Sequence, residues 1–78
     1  MYQFDYSELL GKIKTVCGTQ DNFAKAMGFG RVSLSERLNN KLDFKAREII
    51  KACDILGITG SDIPLYFFSE KSSETRTN

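Results

Sequence analysis

Basic residues are concentrated in the middle of the chain, which points to anions as binding partners. The 78 residues carry a formal net charge of only +1. Residues 25–51, however, hold seven Lys or Arg against three acidic residues, whereas the segments on either side are net negative. A local patch of one sign, and not the total charge, sets the field that a ligand meets. We therefore expect any phosphate-binding face to lie in this segment.

The residues that could do catalytic or metal chemistry are few. The chain has no His, no glycine-rich phosphate loop, and no Cys, Ser or carboxylate cluster placed beside a base. Cys17 and Cys53 do not form a CxxC pair, so we expect free thiols on apolar helix faces. We expect no enzyme, no cofactor and no metal. The N-terminal sequence lacks the features of a signal peptide, which predicts a cytoplasmic protein.

Short helices must position the basic segment, and the spacing of apolar residues predicts where they lie. Glycines and capping residues between the apolar stripes predict where each helix ends. The predicted helices cover about 6–17, 19–27, 30–38, 44–56 and 61–68. The fold class is therefore a compact all-α bundle of about five short helices. It forms one domain over residues 1–68, followed by a polar tail, 69–78, that we expect to be disordered.

The fourth predicted helix provides part of the core. Its apolar stripe predicts that Ile49, Ile50, Cys53 and Leu56 point inward. Before this helix, the second and third helices are joined by a tight turn that contains glycine, which is the pattern of a helix-turn-helix. Such a pair holds one helix outward, and its geometry alone does not fix the function.

The segment TQDNFAKAMGFGRVSLSERLNNK resembles the helix-turn-helix of the phage lambda repressor and Cro family (XRE-type regulators). Gln20 opens the first helix of the pair, Ala24 lies at the helix crossing, Gly28 is in the turn and Leu34 points inside. The resemblance implies a lambda-repressor-like fold with its helix-turn-helix at about 19–38. It also implies a transcriptional regulator, repressor or Cro-like, of a phage or prophage. Such a protein binds a double-stranded DNA operator and controls transcription by occupying it, as a homodimer at least on DNA.

By this resemblance, the third helix carries the residues that contact bases. Arg31, Val32 and Ser33 would lie at its N-terminal turn and enter the major groove, with Ser35 and Glu36 on the same face. An Arg can pair with guanine, and an apolar side chain can contact the methyl group of thymine. Glu36 could accept a hydrogen bond from cytosine or repel phosphate. The alternative for Arg31 and Glu36 is an ordinary solvated helix face.

The resemblance also implies contacts with DNA phosphates, from the start of the second helix and from the segment that follows the third. Amide and cationic side chains are suited to such contacts, which position a protein on the duplex without reading its sequence. Asn40 stands where the family often has a glycine, and asparagine tolerates the left-handed conformation better than most residues. The predicted phosphate contacts are Gln20, Arg37, Asn39, Asn40, Lys41 and Lys45.

The alternative function is a protein-interaction module, an antirepressor or modulator that binds another phage regulator. It depends on the aromatic C-terminal end, because Tyr66, Phe67 and Phe68 are too apolar to be left in water. These side chains either complete the core or form a surface for a partner. The sequence leaves both possibilities open.

Overall fold

The computed structural model describes residues 3–71, so residues 72–78 of the predicted tail lie outside the described residues. The predicted all-α bundle of five short helices is confirmed. Its helices are α1 (Ser7–Cys17), α2 (Gln20–Met27), α3 (Arg31–Leu38), α4 (Ala46–Leu56) and α5 (Ile63–Phe67), with a 3-10 turn at Gly60–Asp62 before α5. None of the helices within 3–71 has the length and apolar character needed to cross a bilayer.

The ends of α1 and α2 follow the predicted signals. Gly18 ends α1 with a φ of 85°, and Gly28 ends α2 with a φ of 80°, a backbone region that side chains disfavour. The Thr19 hydroxyl accepts a hydrogen bond of 3.0 Å from the backbone N–H of Asn22, which satisfies a free donor at the start of α2. These local signals place α2 where the sequence predicts it.

The core lies where α1 packs against α2, α4 and α5. Its largest fully buried side chains come from α1, α2, α3 and α5: Leu9, Ile13, Phe23, Leu34 and Phe67. Full burial of one such side chain is worth about 1.5–3 kcal/mol before the loss of chain entropy is counted. Because α2 and α4 both pack on α1, the helix pair α2–α3 is held firmly against the body of the domain.

The inward face of α4 differs from the prediction at one position. Ile50 is 60% exposed, and the fully buried side chain is that of Ala52. A helix turns 100° per residue, so Ile49, Ala52 and Leu56 share one face while Ile50 lies outside it. The apolar stripe alone favours the larger residue, whereas the position on the buried face is occupied by the methyl group of Ala52.

The two ends of the described chain pair with each other. The backbone N–H of Asp5 donates to the carbonyl of Ser69 at 2.7 Å, and that of Lys71 donates to Gln3 at 2.9 Å. Residues 69–71, which the sequence assigns to the polar tail, therefore have hydrogen-bonded backbone. This pairing brings the segment before α1 alongside the segment after α5.

Asn40 fastens the N-terminal segment to the loop between α3 and α4. Its side-chain oxygen accepts from the backbone N–H of Phe4 at 2.8 Å, and its Nδ2 donates to the carbonyl of Phe4 at 3.0 Å. Asn40 has a φ of 63°, in the left-handed region that asparagine tolerates. The amide group of Asn40, for which the sequence predicts a phosphate contact, is therefore engaged by the backbone of Phe4. We call Asn40 with segments 3–5 and 69–71 the terminal clasp.

Two substitutions at Asn40 separate its hydrogen bonds from its backbone conformation. We expect Asn40→Gly to lower the free energy of unfolding by about 1–2 kcal/mol, because two partly buried hydrogen bonds are lost. Asn40→Ala loses the same bonds and must also adopt the left-handed conformation, so it should be about 1 kcal/mol less stable than Asn40→Gly. Urea unfolding followed by circular dichroism measures both. Equal stability of the two variants would contradict this account.

Candidate functional site

A groove of about 480 Å³ lies between α2 and α3, and it gathers most of the residues predicted to contact DNA. Seven of these line it: Gln20, Arg31, Val32, Ser35, Glu36, Asn39 and Lys41. Val32 is 69% exposed, the most exposed large apolar side chain in the part of the chain that the structure describes. We call this surface the α2–α3 groove. The structure therefore brings together most of the residues that the helix-turn-helix resemblance predicts to contact DNA.

The charges of the α2–α3 groove do not suit a polyanion. Arg31 makes a two-pronged contact with Asp21, with Nε 3.1 Å from Oδ1 and Nη2 2.7 Å from Oδ2. The hydrogen bond from Arg31 lowers the pKa of Asp21. Of the remaining charged lining residues, Glu36 balances Lys41. DNA binding depends on an excess of cations along the phosphates, and this groove has none.

Arg37 is not available to phosphate either, because it is only 8% exposed. Its Nε and Nη2 each lie 3.0 Å from a carboxylate oxygen of Glu48 on α4. Its Nη1 donates to the carbonyl and hydroxyl oxygens of Ser33, at 2.9 and 2.7 Å. The guanidinium also covers the ring of Phe29 at 4.3 Å. The guanidinium of Arg37, for which the sequence predicts a phosphate contact, is therefore engaged within the fold, and the Ser33 hydroxyl accepts a hydrogen bond from it.

Glu48 holds this buried ion pair and the start of α4 together. Its Oε1 accepts from the backbone N–H of Lys45 at 2.8 Å as well as from Arg37. Burial alone would raise the pKa of Glu48, but the hydrogen bonds from Arg37 and from the Lys45 backbone hold it below its usual value. The side chain of Lys45 remains in solvent at this helix end.

Asn39 and Ser35 are occupied with each other on the surface of α3. The Asn39 Nδ2 donates to the carbonyl of Ser35 at 2.8 Å and to its hydroxyl at 3.2 Å. Both residues are exposed. The contact stabilises the C-terminal end of α3, because it satisfies the carbonyl oxygen of Ser35 in the last turn of the helix.

The aromatic C-terminal end divides between core and surface. Phe67 is 1% exposed and belongs to the core, whereas Phe68 is 50% exposed. Leu65, one helical turn before Phe68, is 47% exposed, and Tyr66 is half-buried. We call Leu65 and Phe68 the aromatic end surface. Of the three residues predicted to form a partner surface, only Phe68 is largely accessible.

A second cavity, of about 220 Å³, lies beside Phe68. Its lining is Phe4, Tyr6, Asp43, Phe44, Ile49, Phe67 and Phe68, and we call it the aromatic pocket. The rings meet edge to face: Phe68 packs on Phe4 with centroids 5.6 Å apart, and Phe67 packs on Phe44 at 5.3 Å. The single charged lining residue is Asp43. Burial raises the pKa of Tyr6, and the charge of Asp43 raises it further.

Phe4, Tyr6 and Phe44 were not predicted from the sequence to line a site. A signal was present, because three of the nine aromatic residues fall within the first six positions. Phe44 is also the one aromatic residue in the polar stretch between α3 and α4. Both cysteines are free and half-buried. Among residues 3–71 there is no cluster of three or more potential metal ligands of the His, Cys, Asp or Glu type.

Comparison with known proteins changes the functional assignment. The model of a family described as "Protein of unknown function (DUF739)" matches residues 2–70. The chain is also similar to the solution structure of the modulator of repression (MOR) of the temperate bacteriophage TP901-1 from Lactococcus lactis. The two chains share 52% sequence identity with a TM-score of 0.76, over 83% of this chain and 88% of the other. No curated protein matches the sequence.

These findings overturn two predictions. The assignment to the lambda repressor and Cro family is wrong. The matching family is DUF739, and the similar structure is that of a phage modulator of repression. The function of an operator-binding repressor that followed from it is wrong as well. Neither an operator nor a homodimer is supported by these comparisons. The α2–α3 groove has no excess of cations, and Arg37 is buried in an ion pair with Glu48.

Glu48→Gln tests the buried ion pair through its pH dependence. At neutral pH we expect it to lower the free energy of unfolding by roughly 3 kcal/mol, because Arg37 is left buried beside a neutral group. Folding lowers the pKa of Glu48. The ion pair therefore stabilises the folded state fully at pH values above the pKa of Glu in the unfolded chain, which is about 4.3. This stabilisation is lost as the pH falls through the lower pKa of Glu48 in the folded state. The stability gap between wild type and variant should therefore narrow on acidification.

Urea unfolding at neutral pH and at several values below about pH 5 measures this gap. Asp54→Asn is the matched control, because Asp54 is an exposed acid on the same helix. Its stability should follow that of the wild type at every pH. A gap for Glu48→Gln that stays constant down to about pH 3 would contradict the role given to the carboxylate.

Proposed function

The chain belongs to the DUF739 family, and we propose that it is a protein-interaction module that binds a phage repressor and modulates its action. The observation that carries this proposal is the 52% identity with a phage modulator of repression over 83% of this chain. Fold alone would not support it, since similar helix-turn-helix folds serve unrelated functions. No catalytic step is part of the proposal, and the action takes place in the cytoplasm.

The aromatic end surface is the part of the chain best suited to contact the repressor. Leu65 and Phe68 expose about half of their side chains to water, at 47% and 50%. Covering such apolar area is favourable by about 25 cal/mol per Å². Phenylalanine is also enriched in the buried centres of protein interfaces. An apolar anchor beside a preformed cavity is the usual setting of the residues that dominate binding energy.

The α2–α3 groove is less suited to the same role. A protein that covered it would have to remove water from Arg31, Asp21, Glu36 and Lys41, all charged. Desolvation of charged groups offsets much of the gain from burying Val32 nearby. The two exposed side chains of the aromatic end surface are apolar, and Asp43 is the one charged residue that lines the pocket beside them.

Modulation follows from linkage between two binding equilibria. A module that binds the repressor changes the repressor's operator affinity only by as much as it prefers the free or the DNA-bound form. Preference for the free form removes repressor from the operator by mass action. The module itself needs no contact with DNA, which agrees with the balanced charges of the α2–α3 groove.

Two exposed apolar residues on different surfaces test this proposal. The probe is the repressor encoded in the phage or prophage genome that carries this chain, and calorimetry measures its binding. We expect Phe68→Ala to weaken binding by about tenfold or more, which corresponds to about 1.4 kcal/mol. Val32→Ala, the matched control in the α2–α3 groove, should change the affinity by less than about threefold.

A second variant guards against a folding defect in Phe68→Ala, because Phe68 packs on Phe4. Leu65→Ala should weaken binding as well, and thermal unfolding reports whether either variant is still folded. Electrophoretic mobility shifts with operator DNA then measure whether the wild-type chain alters repressor occupancy. An absence of repressor binding would overturn the proposed function. A larger loss for Val32→Ala than for both other variants would move the interface to the α2–α3 groove.

A further inference from the structure

The size of the aromatic pocket sets what can enter it. Its volume is about 220 Å³, whereas pockets for drug-sized ligands occupy roughly 300–1,000 Å³. An apolar cavity of about 150 Å³ is known to hold a benzene molecule. The aromatic pocket therefore has room for one aromatic ring or one branched aliphatic side chain. It has no room for a larger cofactor.

The pocket has a fixed floor and an accessible rim. Ile49 and Phe67 form part of the floor and are 8% and 1% exposed, so they are held by the core. Phe44 stands between Tyr6 and Phe67 and meets both edge to face. Phe68 at the rim is 50% exposed. A ring or aliphatic group entering here meets apolar walls that are already in place, which lowers the entropy cost of binding.

Asp43 gives the lining of the aromatic pocket a negative charge. It is exposed, and it takes part in neither of the two ion pairs found within residues 3–71. It is the one charged side chain among seven lining residues. A carboxylate next to an apolar pocket favours a cation at the mouth and disfavours an anion. Lys41 and Lys45 are near in sequence and exposed, but neither lines the pocket.

We propose that the aromatic pocket receives one apolar side chain of the partner repressor, and that Asp43 pairs with a Lys or Arg next to that side chain. The identity of the partner rests on the proposed function, whereas the preference of the pocket for an apolar group joined to a cation does not. An ion pair at an interface rim selects partners and speeds association more than it adds affinity. Asp43 therefore acts as a specificity residue, and the apolar lining supplies most of the affinity.

Two small probes of matched size test the pocket without any repressor. They are 3-phenylpropylamine, which carries a cation, and 3-phenylpropionate, which carries an anion. Titration into the full chain at neutral pH, followed by amide shifts in NMR spectra, locates and measures binding. We expect both probes to shift the amides of Phe44, Phe67 and Phe68. The amine should bind about fivefold more tightly than the acid, as expected for one exposed charge pair.

Asp43→Asn should remove this preference and leave binding of the phenyl group in place. Asp54→Asn is the matched control, because Asp54 is an exposed acid on α4 that does not line the pocket. It makes the same change in net charge and should leave the preference intact. Equal binding of the two probes, no binding of either, shifts confined to the α2–α3 groove, or a preference that persists in Asp43→Asn would each overturn the proposal.

The repressor assay then separates the two proposals. If the repressor binds, Asp43→Asn should slow its association severalfold while changing dissociation little. Probe binding without repressor binding would leave the pocket in place and overturn the proposed function. Repressor binding by a chain that does not bind the probes would support the proposed function and overturn the proposal for the aromatic pocket.

Discussion

The position of α3 depends on how the charge of Arg37 is compensated inside the domain. A buried ion without partners costs several kcal/mol, so a guanidinium that is 8% exposed must be fully engaged. Arg37 achieves this with Glu48 on α4, Ser33 on its own helix and the ring of Phe29 in the α2–α3 turn. Three parts of the chain therefore converge on one side chain. The ion pair of Arg37 and Glu48 therefore links α3 directly to α4.

The same interaction shows that part of the positive charge of the basic sequence segment is compensated within the domain. Arg37 is neutralised inside the domain, and Arg31 is paired with Asp21 across the groove. The Nζ of Lys51 donates to the carbonyl of Met27 at 3.3 Å, at the end of α2. Of the seven cations in residues 25–51, three are thus engaged within the fold. A charge count along the sequence treats every cation as available, whereas ligands meet only those left without a partner.

Local signals predicted most of the fold, while the functional surface depended on contacts between distant residues. Thr19 and Gly28 act within one helical turn, so the limits of α2 could be read from neighbouring residues. The pair of Arg37 and Glu48 joins residues 11 positions apart on different helices, and no periodicity reveals it. Besides Gln20, the resemblance to DNA-binding regulators was carried by Ala24, Gly28 and Leu34. Those three are packing positions, which specify how two helices cross but not what the exposed face binds.

The aromatic end is the part of the molecule that the sequence could least define, because both ends of the chain build it. Phe4 and Phe68 are 64 positions apart, yet their rings meet at the rim of the aromatic pocket. The backbone of Phe4 is held by Asn40 from the α3–α4 loop, and the backbone around it pairs with residues 69–71. Chain ends normally fray, and ordering them costs entropy. In this chain the hydrogen bonds of the terminal clasp order these segments when the protein folds. Binding of a partner at the rim would therefore not require a further loss of their conformational entropy. The terminal clasp therefore orders the rim of the aromatic pocket as well as the two chain segments that form it.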